Sequence, residues 1–436
     1  ALRGVAAVVI GERADSYGSG GGNLSHEIKS ALKDDPDNRT LVATRIYGLG
    51  GKDFYPADAE AFFALALDMA RTGRVEAPFD YHGTTAATET QALPVVRPLT
   101  REEQQSPVKV EVVGDEVKVT VPPPRKMMEM PKRITPGHGA CPGCGIFPAL
   151  DNFFRALSGD VVVLFQTGCA MVVTTGYPYS AHRVTYIHNL FQNGAATLSG
   201  VVEVFHEKKR RGEIDVGEDI TFVMVTGDGG MDIGMGPAIG AALRNHKMII
   251  LEYDNEGYMN TGSQLSYSTP IGHKTATSNV GSLGGGKAFH HKDTPQIMAA
   301  CHIPYVFTAV ESQPQDLWKK AAKAQWYAKN VGLVYGKLLI ACPLNWLSED
   351  RMGTKIVQAA VDCNFFPLYE VERGKTRLTY DPEAKGRKIP VEDWLKMMGK
   401  TRHLLKPEFA DVLEEFKREV DRRFRRIKAM SEHPEL

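Results

Sequence analysis

The chain has 436 residues, of which 52 are Lys or Arg and 52 are Asp or Glu, so its formal net charge is zero. That balance argues against a nucleic-acid binder, which needs surplus cations to displace phosphate counterions. With 43% hydrophobic residues it can bury sizeable cores, and its length suits roughly two or three domains. Its apolar runs, such as 161–165 and 248–251, fall far short of the roughly 20 residues that cross a bilayer, so no membrane span is expected. The start, Ala1-Leu2-Arg3-Gly4, carries none of the regions of a secretory signal, and a cytoplasmic location is expected. Six cysteines are too few for a disulfide scaffold.

In chain order, residues 5–10 form an apolar run that fits a buried strand, and a glycine loop at 18–22 precedes a helical segment over 24–32. A second strand at 41–47, the breaker cluster Gly48-Leu49-Gly50-Gly51 and a helix over 57–70 complete a small α/β unit. The glycine loop lacks the third glycine of a dinucleotide fingerprint and reads as a plain turn. From 72 to 133 the composition shifts to Pro, Thr, Glu and Gln, the mark of a connecting arm. Within it, 108–113 and 117–121 alternate Val with polar residues around Gly114-Asp115-Glu116, which predicts a β-hairpin. Beyond Ile134, apolar strands at 161–165, 220–225, 248–253 and 338–340 are separated by long helical stretches. This pattern predicts an α/β fold with a doubly wound parallel sheet. A charged amphipathic helix is expected over 407–430. The expected segments are 1–72 (α/β), 73–133 (arm), 134–370 (main domain) and 371–436 (extension).

Two turns carry the first chemical signal. Gly227-Asp228-Gly229 follows one predicted strand and Asp254-Asn255 follows the next, so a carboxylate and an amide meet at the carboxyl edge of the sheet, where ligands bind. Such oxygen ligands suit Mg²⁺, which completes its octahedron with water and phosphate. Gly229 and Gly230 open the backbone to a diphosphate, and a helix starting at 235–237 would turn its positive end toward it. Asn255 stands 26 residues after Gly229, which fits the thiamine diphosphate motif. The competing loop Gly281-Ser282-Leu283-Gly284-Gly285-Gly286-Lys287 has Ala288 where a P-loop needs a hydroxyl residue, and no strand precedes it.

The cysteines carry the second signal. Cys141-Pro142-Gly143-Cys144-Gly145 sets two thiols on one turn, while Cys169 and Cys342 each sit at the carboxyl end of a predicted strand. Four thiolates thus gather beside the diphosphate site, a set that suits either zinc or an iron–sulfur cluster. Cys301 and Cys363 read as small core residues.

Together the residues Gly137-His138-Gly139-Ala140-Cys141-Pro142-Gly143-Cys144-Gly145, Thr167-Gly168-Cys169, Pro178-Tyr179, Arg183, Ile187-His188, Phe191-Gln192-Asn193, Gly227-Asp228-Gly229-Gly230 and Tyr253-Asp254-Asn255-Glu256-Gly257-Tyr258-Met259-Asn260 resemble the beta chain of the 2-oxoacid:ferredoxin oxidoreductases of the pyruvate synthase type, over about 134–366. Residues 1–70 resemble, more weakly, the end of that family's alpha chain, through Glu12-Arg13, Ser16-Tyr17-Gly18, Gly22-Asn23-Leu24 and Gly48-Leu49-Gly50-Gly51-Lys52-Asp53-Phe54.

The resemblance implies a [4Fe-4S] cluster on Cys141, Cys144, Cys169 and Cys342, and Mg²⁺ on Asp228, Asn255 and the carbonyl of Gly257. It implies thiamine diphosphate beside Gly143, Cys144, Gly145, Gly168, Gly227, Gly229 and Gly230, with Asn260 near the reacting carbon. The implied reaction is oxidative decarboxylation of a 2-oxoacid, with electrons passed to the cluster and the acyl group to coenzyme A. Implied partners are an alpha subunit supplying a pyrimidine-activating glutamate, a gamma subunit, a ferredoxin-like delta subunit and a flavoprotein linked to NAD. Gly176 and His182 stand where pyruvate-type members carry Pro and Trp, which points to a bulkier 2-oxoacid. The length and amino-terminal extension resemble the phenylglyoxylate dehydrogenase branch. His138, His182 and His188 are candidates for polar contacts or structural histidines. A non-redox thiamine-dependent lyase and a zinc-stapled assembly subunit are the competing readings.

Overall fold

The computed structural model describes residues 2, 4–13, 20–48, 54–83, 99–114, 116–136, 138–175, 180–214, 220–282, 284–433 and 435. Part of the glycine loop (18–19), most of the breaker cluster (49–51), Asp115, Gly137, Gly176 to Tyr179 and Leu283 lie outside them. The chain forms two compact units, one within Ala1–Val96 and the other comprising Arg97–Thr175 and Ser180–Leu436.

The first unit holds three parallel strands in the order β1 (Ala7–Glu12), β2 (Leu41–Ile46) and β3 (Phe79–Tyr81). Helices Asn23–Lys33 and Pro56–Thr72 make the crossovers. Glu12, at the end of β1, accepts backbone N–H bonds from Gly22 and Leu24 at 2.8 Å and from Ser25 at 3.2 Å. A carboxylate thus caps donors that the first turn of a helix leaves unpaired.

The second unit begins with the antiparallel hairpin of β4 (Lys109–Val113) and β5 (Glu116–Thr120). Its alternating valines turn one face inward, and Val117 joins the main core. The body is an eight-stranded sheet containing β6 (Asp160–Gln166), β7 (Thr185–Asn189), β8 (Ile220–Gly227) and β9 (Ile249–Asp254). A two-residue pairing of β10 (Val280–Gly281) with β11 (Gly284–Gly285) lies apart from it. The sheet continues with β12 (Tyr305–Val310), β13 (Val334–Leu339), β14 (Leu368–Glu372) and β15 (Lys375–Tyr380), in the order β15-β14-β12-β13-β9-β8-β6-β7. The run from β12 to β7 is parallel, and β14 and β15 add an antiparallel edge.

Every residue of β9, β12 and β13 is buried, as expected of parallel strands covered on both faces. Helices Ile146–Arg155 and Pro314–Asn330 contribute to the core on one side, and Gly194–Arg210 and Met235–Leu243 to the core on the other. After β6 the chain crosses to β7 at the edge, then returns to lay β8 on the other side of β6. The reversal opens a crevice between the carboxyl ends of β6 and β8, the place where such sheets bind ligands.

Helix Ala410–Glu432 lays Phe416, Val420, Phe424 and Ile427 on the body as a buried stripe. β14 spans residues 370 and 371, so the last segment is continuous with the sheet. The helix expected from 235 begins earlier in two pieces, Asp228–Ile233 and Met235–Leu243, because Gly234 interrupts the run. The first turn after β8 therefore starts at Asp228 itself. Among the described residues no helix is long and apolar enough to cross a membrane.

Candidate active site

The carboxyl ends of β6, β8 and β9 surround a pocket. Gly168, Gly227, Asp228, Gly229, Gly230, Asn255, Gly257 and Asn260 all line it, together with Thr167, Cys169, Tyr253 and Tyr258. Gly143, Cys144 and Gly145 line a different, broader cleft with Cys141, Glu311 and Asp350. The structure thus gathers all but three of the residues expected beside the diphosphate.

Asp228 is 1% exposed. Burial, with the charge of Asp254 next, drives its carboxyl well above the usual carboxylate range, while Lys292 and the hydroxyl of Ser266 oppose that shift. Ser266 Oγ donates to Asp228 Oδ2 at 2.5 Å and Lys292 Nζ donates to the carbonyl of Asp228 at 2.7 Å. One terminal atom of the Asn255 amide stands 2.9 Å from the carbonyl oxygen of Gly257 and 3.0 Å from Asp228 Oδ1. With nitrogen there, both contacts are hydrogen bonds. With oxygen there, three oxygens face one another. Neighbouring ligands of an octahedral Mg²⁺, each about 2.1 Å from the ion, stand ~3.0 Å apart. The three groups therefore fit Mg²⁺, and a buried carboxylate so destabilised by its surroundings gains most from a cation.

Close packing explains the glycines. A Cβ on Gly229 would stand 2.4 Å from the Tyr258 ring, and one on Gly230 would stand 2.3 Å from Thr226 Oγ1. Tyr258 is held in turn by Asp232, whose Oδ2 accepts its hydroxyl at 3.3 Å and the Tyr267 amide at 2.9 Å. Lys292 reaches Asp232 Oδ1 at 2.5 Å. Ser266, Lys292 and Tyr258 escaped the sequence analysis as supports of the site, since no spacing rule ties a lysine 64 residues downstream to Asp228.

Backbone packing brings the Cys141–Cys144 turn beside Cys342. Cys144 N–H donates to the Cys141 carbonyl at 3.1 Å, and Gly145 N–H donates to the Ala341 carbonyl at 3.0 Å, which docks the turn beside Cys342. Gly143 has φ +72°, and a Cβ there would stand 2.3 Å from the Asp350 carbonyl oxygen. Cys141 is exposed, while Cys144, Cys169 and Cys342 are half-buried and unpaired. Burial first, and the charges of the other cysteines next, push the thiols of Cys144 and Cys169 up to about 11 and about 12. Opposing this, the backbone amide dipole of Ile146 favours the Cys144 thiolate, and those of Asn345 and Leu344 favour the Cys342 thiolate. Thiols that repel one another's charge while backbone amides favour the thiolate form suit a shared cationic centre. Among the described residues, no three His, Cys, Asp or Glu side chains close on a single ion position.

Tyr253 lines the same pocket as Cys169 and Asp228, with its hydroxyl accepting the Ala170 amide at 3.3 Å. The histidines stand outside the pocket. His138 stacks on Phe147 at 3.8 Å, His182 stacks on Tyr186 at 4.8 Å and meets Thr174 Oγ1 at 2.9 Å, and His188 meets Thr167 Oγ1 at 2.9 Å. In the glycine loop at 281–287, Lys287 Nζ is committed to the carbonyls of Thr269 and Tyr267 at 2.5 and 3.3 Å.

Fold and site together define a thiamine diphosphate-binding α/β domain. Residues 167–334 match the family of the C-terminal TPP-binding domain of thiamine pyrophosphate enzymes. Pyruvate synthase subunit PorB of Thermotoga maritima is 40% identical over 305 residues, which cover 69% of this chain and 92% of that subunit. PorB of Methanocaldococcus jannaschii is 38% identical, covering 64% and 92%. Ketoisovalerate oxidoreductase subunit VorB of Pyrococcus furiosus is 34% identical, covering 65% and 90%. The chain belongs to this family of 2-oxoacid oxidoreductase subunits.

Proposed function

We propose that the chain is the thiamine diphosphate-binding and cluster-binding subunit of an enzyme that converts a 2-oxoacid and coenzyme A to acyl-CoA and CO₂. The observation that carries this reading is the convergence of Asp228, Asn255 and the Gly257 carbonyl in a pocket whose wall includes Cys169. These three groups would hold Mg²⁺, and the Gly227–Gly230 turn that lines the pocket would receive the diphosphate. When bound, thiamine diphosphate supplies the nucleophilic carbon and electron sink for decarboxylation, and a [4Fe-4S] cluster on Cys141, Cys144, Cys169 and Cys342 accepts single electrons. Asn260, exposed at the mouth of the pocket, offers its amide to the substrate.

The proposed substrate is bulkier than pyruvate, with phenylglyoxylate the first to assay. Its support is the departure at Gly176 and His182 from the Pro and Trp of pyruvate-type members. The proposed partners are alpha, gamma and ferredoxin-like delta subunits, with a flavoprotein when NAD is the acceptor. A cytoplasmic location accords with six unpaired cysteines.

Anaerobically purified protein should contain about four iron and four sulfide per chain. Zinc without sulfide would instead leave a stapled assembly subunit, in which a single ion gathers four sulfurs at bonds of about 2.3 Å. Turnover of the whole complex with pyruvate, 2-oxoglutarate and phenylglyoxylate assigns the acid. Thiamine-dependent CO₂ release without any acceptor being reduced would favour the lyase.

A further inference from the structure

The turn that carries Asn255 and Gly257 is strained and is held from outside the thiamine-binding region. Between those two residues Glu256 adopts φ +67°, a left-handed conformation that costs a non-glycine residue energy. This reversal aims both the Asn255 side chain and the Gly257 carbonyl at Asp228. Something must hold Glu256 there.

Its carboxylate is 1% exposed and forms an ion pair with the equally buried Lys400. Lys400 lies beyond residues 167–334, in the carboxy-terminal segment, which is fastened beside the site through the backbone. Gly399 N–H donates to the Leu347 carbonyl at 3.1 Å, Lys400 N–H to the Trp346 carbonyl at 3.4 Å, and Lys274 N–H to the Lys400 carbonyl at 3.2 Å. The Lys400 ammonium stands 4.3 Å from the centre of the Trp346 ring, and Trp346 Nε1 donates to the Asn255 carbonyl at 3.0 Å. Trp346 closes the short helix Pro343–Trp346 that begins at Cys342. One ammonium therefore touches the turn that bears two proposed metal ligands and the helix that follows a proposed cluster ligand.

We propose that Lys400 is a positioning residue for the cofactor site. Its ion pair with Glu256 fixes the left-handed turn, and its contact with Trp346 ties that turn to the segment bearing Cys342. The proposal rests on the function proposed above.

The test uses the full chain in complex with its partner subunits, stripped of thiamine diphosphate and titrated with the Mg²⁺ complex by equilibrium dialysis. Cluster content is read from iron, sulfide and the visible spectrum. Lys400→Met should weaken cofactor binding roughly tenfold to hundredfold, the scale of losing a support behind a metal ligand, and Lys400→Arg should recover most of it. The single Met variant leaves Glu256 as a buried charge without its lysine, which destabilises the fold, so the double variant Glu256→Met with Lys400→Met is the second arm. It should restore thermal stability while binding stays weak, because an uncharged pair does not hold the turn.

Wild-type affinity in either Met-containing variant would overturn the proposal, as would failure of Arg to rescue. A wild-type complex that binds no thiamine diphosphate would instead overturn the proposed function, and this inference with it.

Discussion

Asp228 receives one hydroxyl and faces one amide, and its carboxylate is the group around which the pocket is built. Asp228→Ala should abolish thiamine diphosphate binding and leave the iron and sulfide content unchanged, since the cysteines are positioned by other turns. Ser266→Ala should weaken binding by roughly tenfold, the equivalent of one hydrogen bond to a charged group. Unchanged cofactor occupancy in Asp228→Ala would remove the assigned motif. His182 yields a prediction about pH. Burial lowers its imidazole from 6.5 to about 4, so between those values the unfolded chain binds a proton that the folded chain does not. Stability is then complete above pH 6.5 and falls as the pH drops toward 4, by up to about 3 kcal/mol. His182→Phe keeps an aromatic ring against Tyr186 without that proton. Chemical denaturation across this range should show a shallower slope for the variant, and identical slopes would refute the assignment.

Among the elements, β13 is the most exacting. Lys337 lies in the middle of a fully buried strand and pairs with Asp254 at 2.6 Å and Glu252 at 3.2 Å. Removing one partner of a buried ion pair costs about 3–5 kcal/mol, because the remaining charge stays buried. Lys337→Met should lose stability on that scale in urea denaturation, and adding Glu252→Gln should recover part of it. The same lysine explains why the sequence reading recognised only 338–340 of this strand. A charge and a glycine break the apolar run, and the compensating carboxylates come from a neighbouring strand. Strands β6, β8 and β9 were legible because burial on both faces leaves continuous Val, Ile and Leu. β7 was not, since as an edge strand it carries Thr, His and Asn. The antiparallel β14–β15 hairpin was missed because its alternation is interrupted by charges that pair across the fold, such as Glu370 with Lys323 at 3.1 Å. The Gly227-Asp228-Gly229 and Cys141–Cys144 turns stood out because the chemistry proposed for them is bound to short local motifs. Ser266, Lys292 and Lys400 act across long separations that no local pattern records.

At the scale of the whole molecule the proposed site is expected to be composite. Of the carboxylates among the described residues, Asp228 alone lines the pocket, and it is one of the proposed metal ligands. No glutamate or histidine among those residues lines the pocket to exchange a proton with the cofactor. Around the mouth, Val172, Leu190, Ile233, Tyr267 and Phe289 are each more than 40% exposed. Apolar side chains clustered beside a site mark a surface that another protein covers. The group that activates the aminopyrimidine is therefore expected to come from a partner subunit seated on this rim. The chain alone should bind Mg²⁺ and thiamine diphosphate yet release no CO₂ from any 2-oxoacid, and adding the partner subunits should restore turnover. Leu190→Lys together with Ile233→Lys should weaken copurification of the partner while leaving cofactor binding by the chain intact, because neither residue lines the pocket. Steady thiamine-dependent CO₂ release by the chain alone would mean that the proton-exchanging group lies within these 436 residues, and the composite site would have to be abandoned.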